Sequence, residues 1–247
     1  METTTTTKDF MHTQTDQTKP LVTYTPKKRG GKWITDVTSG NRNGGIHRQE
    51  EFKKAVEMLT HCAHNLPNAR LFHVCLTGGD VVAYQLVIKR LCRALKGQDV
   101  TTRYRAGIEN DQTKGLHCHL FIVLSSKDQQ TARHITTTDS SKRGGMASDS
   151  TLLKAIKHTR TECPTLAYSV MMPKRPNSNP SPDGSPPKRV AFLQFNQTNQ
   201  AFFDNVVEWM SYAYKARSKE GIAACYLSDK QNKVPTVKHN HLCVIDF

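Results

Sequence analysis

The run Leu116-His-Cys-His-Leu-Phe-Ile-Val-Leu124 constrains this chain more than any other segment. It has the length and composition of a buried strand, and it opens with two histidines one residue apart. Successive side chains of a strand point to opposite faces, so His117 and His119 share one face and Cys118 points the other way. Upstream, Thr101 to Glu109 reads as a second strand, with Tyr104 and Ile108 among polar residues, and Asn110 to Gly115 carries turn chemistry. An antiparallel hairpin is predicted. If Glu109 lies opposite His117, then Gly107 lies opposite His119, and a carboxylate converges with two imidazoles. Directly opposed Cβ atoms are roughly 4.5–5.5 Å apart. Imidazole suits Zn, Mn and Fe and also joins mixed His/carboxylate sites for Mg or Mn. The expectation is a metal site with positions left for water or phosphate. The alternative is two histidines that flank a core strand and a solvated Glu109, and the sequence leaves the register open.

A second candidate lies ninety residues on. In Ala201-Phe-Phe-Asp-Asn-Val-Val-Glu-Trp-Met-Ser-Tyr-Ala-Tyr-Lys-Ala-Arg217, Phe202, Phe203, Val206, Val207, Met210 and Tyr214 fall at helical spacing and predict one apolar stripe. Tyr212 and Lys215 lie on the other side, three apart, as neighbours on a helix surface. A phenol has a pKa near 10, and a nearby cation or metal favours the phenolate. Tyr212 is therefore a candidate nucleophile with Lys215 beside it, and Tyr214, on the stripe, is assigned to the core. The wheel sets Tyr212 opposite the stripe, so the helix must be sandwiched or rotated to bring it to a site. A third segment, Arg70-Leu-Phe-His-Val-Cys-Leu-Thr77, has the length of a buried strand and precedes Gly78-Gly79.

The rest of the chain frames these segments. Residues 1–45 are rich in Thr, Lys, Gly and Asn and read as a basic, mobile arm; within it Lys27-Lys-Arg-Gly-Gly-Lys-Trp33 offers cations and an indole to a nucleic acid. Residues 46–247 read as one domain. His47 to His64 predicts an amphipathic helix through Phe52, Ala55, Val56, Leu59 and Ala63. Asp80 to Lys96 predicts another, capped by Asp80, stopped by Gly97 and striped by Tyr84, Val87, Ile88, Leu91 and Leu95. Residues 126–150 read as a long polar loop, 151–160 as a short helix, and Thr165–Met172 with Arg189–Phe195 as a strand pair. The proline-rich stretch across 173–188 reads as a loop, bordered by cations that suit DNA. Two further histidine pairs, His61/His64 and His239/His241, are weaker metal candidates, on a helix surface and around a polar residue respectively.

Lys and Arg number 35 against 21 Asp and Glu, a formal charge of +14. That favours a polyanionic partner, bound less tightly as salt rises. No apolar run is long enough to span a membrane, and the N-terminus lacks the apolar stretch of a signal peptide. The seven cysteines are scattered without a Cys-x-x-Cys pair. Cys75, Cys118 and Cys243 sit inside apolar runs, as small hydrophobes of a reducing cytoplasm.

An apolar strand ending in Leu76-Thr77, then His117-Cys-His119, then Tyr212-Ala-Tyr-Lys215 resembles, in that order, the HUH endonucleases: rolling-circle replication initiators, relaxases and transposases. Trp209-Met-Ser-Tyr-Ala-Tyr-Lys215 is most similar to the single-tyrosine initiators of filamentous phages and prophage elements. The chain departs from that pattern at Ala213, where the family commonly has an aliphatic residue, and in the extra phenol of Tyr214. The resemblance implies an α+β fold with a central antiparallel sheet, helices flanking it, and the tyrosine helix laid across the metal face. It implies Mg²⁺ or Mn²⁺ held by Glu109, His117 and His119, with Tyr212 and Lys215 catalytic. The implied reaction is nicking and rejoining of single-stranded or origin DNA through a 5′-phosphotyrosine, to initiate rolling-circle replication in a bacterial host cytoplasm. Without a Gly-x-x-x-x-Gly-Lys-Ser/Thr motif, helicase and polymerase would come from the host. A transposase with the same chemistry and a non-catalytic basic nucleic-acid-binding module remain open, as does the oligomeric state.

Overall fold

The computed structural model describes residues 28–29, 32–33, 49–136, 150–161, 164–173, 189–214 and 226–229. In chain order these form β1 (Lys28–Arg29), β2 (Lys32–Trp33), α1 (Gln49–Asn65), β3 (Arg70–Thr77), α2 (Val81–Lys96), β4 (Thr101–Asp111) and β5 (Gly115–Ser125). There follow α3 (Gln129–Thr136), α4 (Thr151–Thr161), β6 (Ala167–Met171), β7 (Leu193–Gln194), α5 (Gln200–Ser211), a 3-10 turn (Tyr212–Tyr214) and β8 (Tyr226–Ser228). β1 and β2 pair with each other inside the segment read as an arm. The other six strands make one antiparallel sheet in the order β6-β3-β5-β4-β8, with β7 also on β3. The class is α+β, an antiparallel sheet flanked by helices.

The alternation of side chains along β3, β4 and β5 gives this sheet two differently built faces. Phe72, Val74, Leu76, Ala106, Ile108, Cys118, Leu120, Ile122 and Leu124 point backwards and pack under α2, α3 and α4. Leu71, Phe121 and Val123 point forwards and pack under α1 and α5. The stripe predicted for α2 is buried throughout, and Asp80 caps the helix by accepting from the Ala83 N–H at 2.7 Å. An N-cap of this kind satisfies a backbone donor that has no partner inside the helix. Gly78 joins β3 to α2 at φ +83°, and a Cβ there would lie 2.6 Å from the Thr165 carbonyl oxygen. Only glycine allows this close approach of the turn to the start of β6.

Three expectations need correction. Residues 126–150 are not one loop, because α3 occupies Gln129–Thr136. Asp128 starts it, accepting from the Thr131 N–H at 2.6 Å, and Ile135 anchors it in the core; the polar composition hid a helix with one buried anchor. The segments at 165–172 and 189–195 meet only at their ends among the described residues, through the Val190 N–H to the Pro173 carbonyl (2.9 Å) and the Arg189 guanidinium to the Met172 carbonyl (3.0 Å), and β6 and β7 do not pair with each other. β6 lies along His73–Thr77 and β7 along Arg70–Leu71, so both use the same side of β3. The α-helix that begins at Gln200 ends at Ser211, and Tyr212 opens the 3-10 turn. The helical wheel of 100° per residue therefore stops before Tyr212. Among the described residues no helix is long and apolar enough to cross a membrane.

Candidate metal centre

The β4–β5 hairpin builds the centre. Asp111 accepts through Oδ1 from the backbone N–H groups of Thr113 (2.9 Å) and Lys114 (2.6 Å), and Gly115 takes φ +63°. This turn is tighter than the sequence suggests, so pairing runs on to Asp111↔Gly115. It fixes the register Glu109↔His117 and Gly107↔His119, the one in which a carboxylate and two imidazoles converge. All three side chains are buried, with Glu109 5% exposed, His117 1% and His119 2%. Glu109 Oε2 lies 3.9 Å from His117 Nε2 and 3.8 Å from His119 Nε2, and the three ligand atoms lie within 4.8 Å of one another. Imidazole and carboxylate bind divalent ions at roughly 2.0–2.2 Å, so atoms at this separation can share one ion. The group could hold a metal. Its two imidazoles and one carboxylate suit Mn²⁺, Zn²⁺ and Fe²⁺ as well as Mg²⁺.

Both rings are held by a second contact. His117 Nδ1 lies 2.9 Å from the Gly115 carbonyl, an acceptor only, so Nδ1 carries the proton and Nε2 presents its lone pair towards Glu109. His119 Nδ1 lies 2.8 Å from His73 Nε2. His73 is buried, and desolvation, with the nearby His119 and Lys114, holds it well below the ordinary histidine pKa. A neutral His73 that accepts from His119 Nδ1–H gives His119 the same ligating tautomer as His117. Such outer partners orient ligand rings and tune metal affinity. His73 itself is stacked on Phe121 (centroids 4.1 Å apart, 18° between planes) and meets the edge of Trp209 at 5.5 Å. It thereby joins the metal face to α5.

In the sequence His73 is one residue of an apolar strand, with no motif of its own. Alternation puts it on the face of Cys75 and Thr77, but its neighbour is set by the β3–β5 register, Thr77↔His117 and Cys75↔His119, which no local motif encodes. Asp111 likewise shows in the sequence only as turn chemistry. Its Oδ2 lies 3.8 Å from His117 Nε2 at the exposed edge of the triad, and the backbone N–H groups of Lys114 and Thr113 hold its carboxyl below the usual range. Tyr84, fully buried, donates to the Leu116 carbonyl at 2.8 Å and receives the Gly79 N–H at 3.3 Å, tying the β3–α2 turn to the residue before His117.

The two tyrosines of the predicted nucleophile motif have separate settings. Tyr212 opens the 3-10 turn, which packs against β4, the strand that carries Glu109. Tyr214 is buried, stacked on Tyr226 (5.3 Å, 8°) and tilted against Phe52 (5.7 Å, 55°). Burial raises its phenol above the ordinary value, more than the nearby Arg105 lowers it. Lys215, His239, His241 and the loop at 174–188 lie outside the described residues. On α1, His61 contacts Asn65 and His64 contacts Gln197; among the described residues only Glu109, His117 and His119 form a ligating group.

The chain matches no family model, no curated protein and no solved structure.

Proposed function

We propose that this protein is a metal-dependent, single-tyrosine DNA strand transferase of the HUH type that nicks and rejoins single-stranded DNA to initiate rolling-circle replication. The observation that carries this reading is the buried Glu109–His117–His119 group on the sheet face covered by α5, whose chain continues directly into Tyr212. The Glu-His-His set, the following tyrosine and their order along the chain support it together. Glu109, His117 and His119 would hold Mg²⁺ or Mn²⁺, which would supply Lewis-acid polarisation of a scissile phosphate and offset its charge.

The chain's own residues do the rest. Gly115 and His73 hold the two imidazoles in orientation, and Glu109 brings negative charge to the donor set. Trp209, against His73, sets α5 relative to the centre. The Tyr212 phenol gives up its proton as its oxygen attacks phosphorus, the P–O3′ bond breaks, and the departing oxygen takes up a proton to become a 3′ hydroxyl, so the step is proton-neutral overall. The 5′ phosphate stays on Tyr212 as an ester, so attack by a 3′ hydroxyl reverses the step and reseals a strand without ATP. The Lys215 ammonium neutralises phosphate charge.

The test is cleavage of labelled single-stranded DNA from candidate origins of the protein's own replicon, with Mn²⁺, with Mg²⁺ and with EDTA. A metal-dependent covalent protein–DNA adduct, retained in Tyr214→Phe and absent in Tyr212→Phe, is the expected result. Cleavage confined to element ends would make it a transposase. Tight binding with no adduct under any metal would remove the catalytic reading.

A further inference from the structure

We infer that the face of the molecule opposite the metal centre, formed by α2 and α4, is a binding surface for the phosphate backbone of double-stranded DNA. These helices pack side by side behind the sheet. Neither contains an Asp or a Glu. Lys89, Arg93 and Lys96 of α2 and Lys154, Lys157 and Arg160 of α4 are all exposed. On α2 the three cations recur at i, i+4 and i+7, one row spanning about 10 Å at 1.5 Å per residue. Among the described residues no ion pair is formed by Lys89, Arg93, Lys96, Lys154 or Lys157.

The helices on the metal side are built otherwise. α1 interleaves both signs, with Lys54 on Glu51 at 2.6 Å, and α5 carries Asp204 and Glu208 with no Lys or Arg. An exposed helix face is ordinarily stabilised by mixed charge. Like charges at i, i+4, such as Lys89 and Arg93, repel and weaken a helix, a loss that a bound polyanion offsets. The choice of duplex follows from what the surface lacks. Single strands are held by stacking bases on aromatic side chains, and no Phe, Tyr or Trp of α2 or α4 is exposed, His158 being the one exposed ring on these two helices. A membrane would need a broad apolar face, whereas among the described residues the exposed large hydrophobics are Val82 and Leu86, both in the first half of α2. A duplex backbone needs cations alone. Because the sheet separates this surface from Glu109, His117 and His119, a duplex behind and a single strand in front can be bound at once.

The inference needs no metal chemistry, so its test uses the full chain in EDTA. Fluorescence anisotropy would follow binding of a scrambled 20-base-pair duplex, of oligo(dT) and of phosphatidylserine vesicles across a salt series. The variants are K89E/R93E/K154E/K157E, the same four positions changed to Gln, and K53E/K54E on α1, each checked by circular dichroism and thermal melting. The four-site variants are expected to lose at least tenfold in duplex affinity. Their log–log salt slope should flatten by about 0.9 for each contact removed, while K53E/K54E stays within threefold of the parent. Equal losses in K53E/K54E, no change in either four-site variant, or a loss seen only with oligo(dT) or only with vesicles would each overturn the assignment.

Discussion

Behind the sheet, α2, α3 and α4 cover a mainly apolar core, in which the Tyr84 hydroxyl donates to the Leu116 carbonyl and the buried Thr159 hydroxyl to the Ala155 carbonyl. In front, α1 and α5 cover a face into which His73, Arg103, Arg105, Glu109, His117 and His119 are all buried. Burying a charge or a polar group costs free energy unless it is paired. Arg103 meets Asp229 at 2.8 Å and Arg105 meets Glu51 at 3.2 Å, so those two guanidiniums have carboxylates. The Glu109 carboxylate instead faces two imidazoles that a metal would complete. Both faces carry an apolar cluster that stabilises the fold, but the front face also buries the charged and ligating side chains.

The largest stability change should come from an apolar core side chain, and the one chosen lies behind the sheet, away from the metal face. Leu120→Ala removes a fully buried side chain between α2 and the sheet and should destabilise by about 2–5 kcal/mol. Urea melts would measure this, and Mn²⁺ titration should show binding retained by the folded fraction. A loss well under 1 kcal/mol would break the comparison, because the back face would then not be a stabilising core.

Glu109→Gln is the counterpart in front. It removes a buried carboxylate without changing shape, so the metal-free protein should melt within about 1 kcal/mol of the parent or above it. The gain on adding metal should disappear. For a site with one hundred times its Kd of free Mn²⁺ that gain is about 2.7 kcal/mol. A metal-free destabilisation as large as that of Leu120→Ala would assign Glu109 to holding the hairpin together.

Much of this division was legible before any coordinates. Asp80, Gly97 and the stripe of α2 announce a helix by local chemistry. His117 and His119 share a face by alternation alone. What was not legible depends on contacts far apart in sequence. The β4–β5 register that joins Glu109 to the histidines was one consistent choice among several until the Asp111 turn fixed it. His73 reaches His119 only through the pairing of β3 with β5, and β6 and β7 find β3 instead of each other for the same reason. The 3-10 turn at Tyr212 escaped because helical periodicity carries no signal for where an α-helix tightens.

His73 sharpens the comparison, since it is a front-face residue that touches no ligand and acts through His119. His73→Phe keeps an aromatic ring between Phe121 and Trp209 but removes the acceptor for His119 Nδ1–H. It should weaken Mn²⁺ binding by about 10–100-fold, read by electron paramagnetic resonance, with little change in melting temperature. His73→Gln restores an acceptor and should recover part of that affinity. Equal affinities in Phe, Gln and the parent would reduce His73 to packing.

Tyr214 should give the smallest effect near neutral pH and a diagnostic one in alkali. It belongs to the front-face cluster yet is enclosed by Phe52 and Tyr226. Its phenol is held above the ordinary pKa, first by burial. The folded state therefore keeps the proton at a pH where the unfolded chain, with its pKa near 10, gives it up. Stability from this group is complete below pH 10 and falls as pH rises, by up to about 1.4 kcal/mol per unit until the folded-state pKa is reached. Tyr214→Phe lacks that loss. The parent and the variant should melt within about 1.5 kcal/mol of each other at pH 7 and diverge in the variant's favour between pH 10 and 11. Parallel curves through that window would mean that the phenol ionises as readily in the folded protein as in the unfolded chain. Tyr214 would then stand beside Tyr212 as a candidate nucleophile, and the front face would have two phenols to offer instead of one.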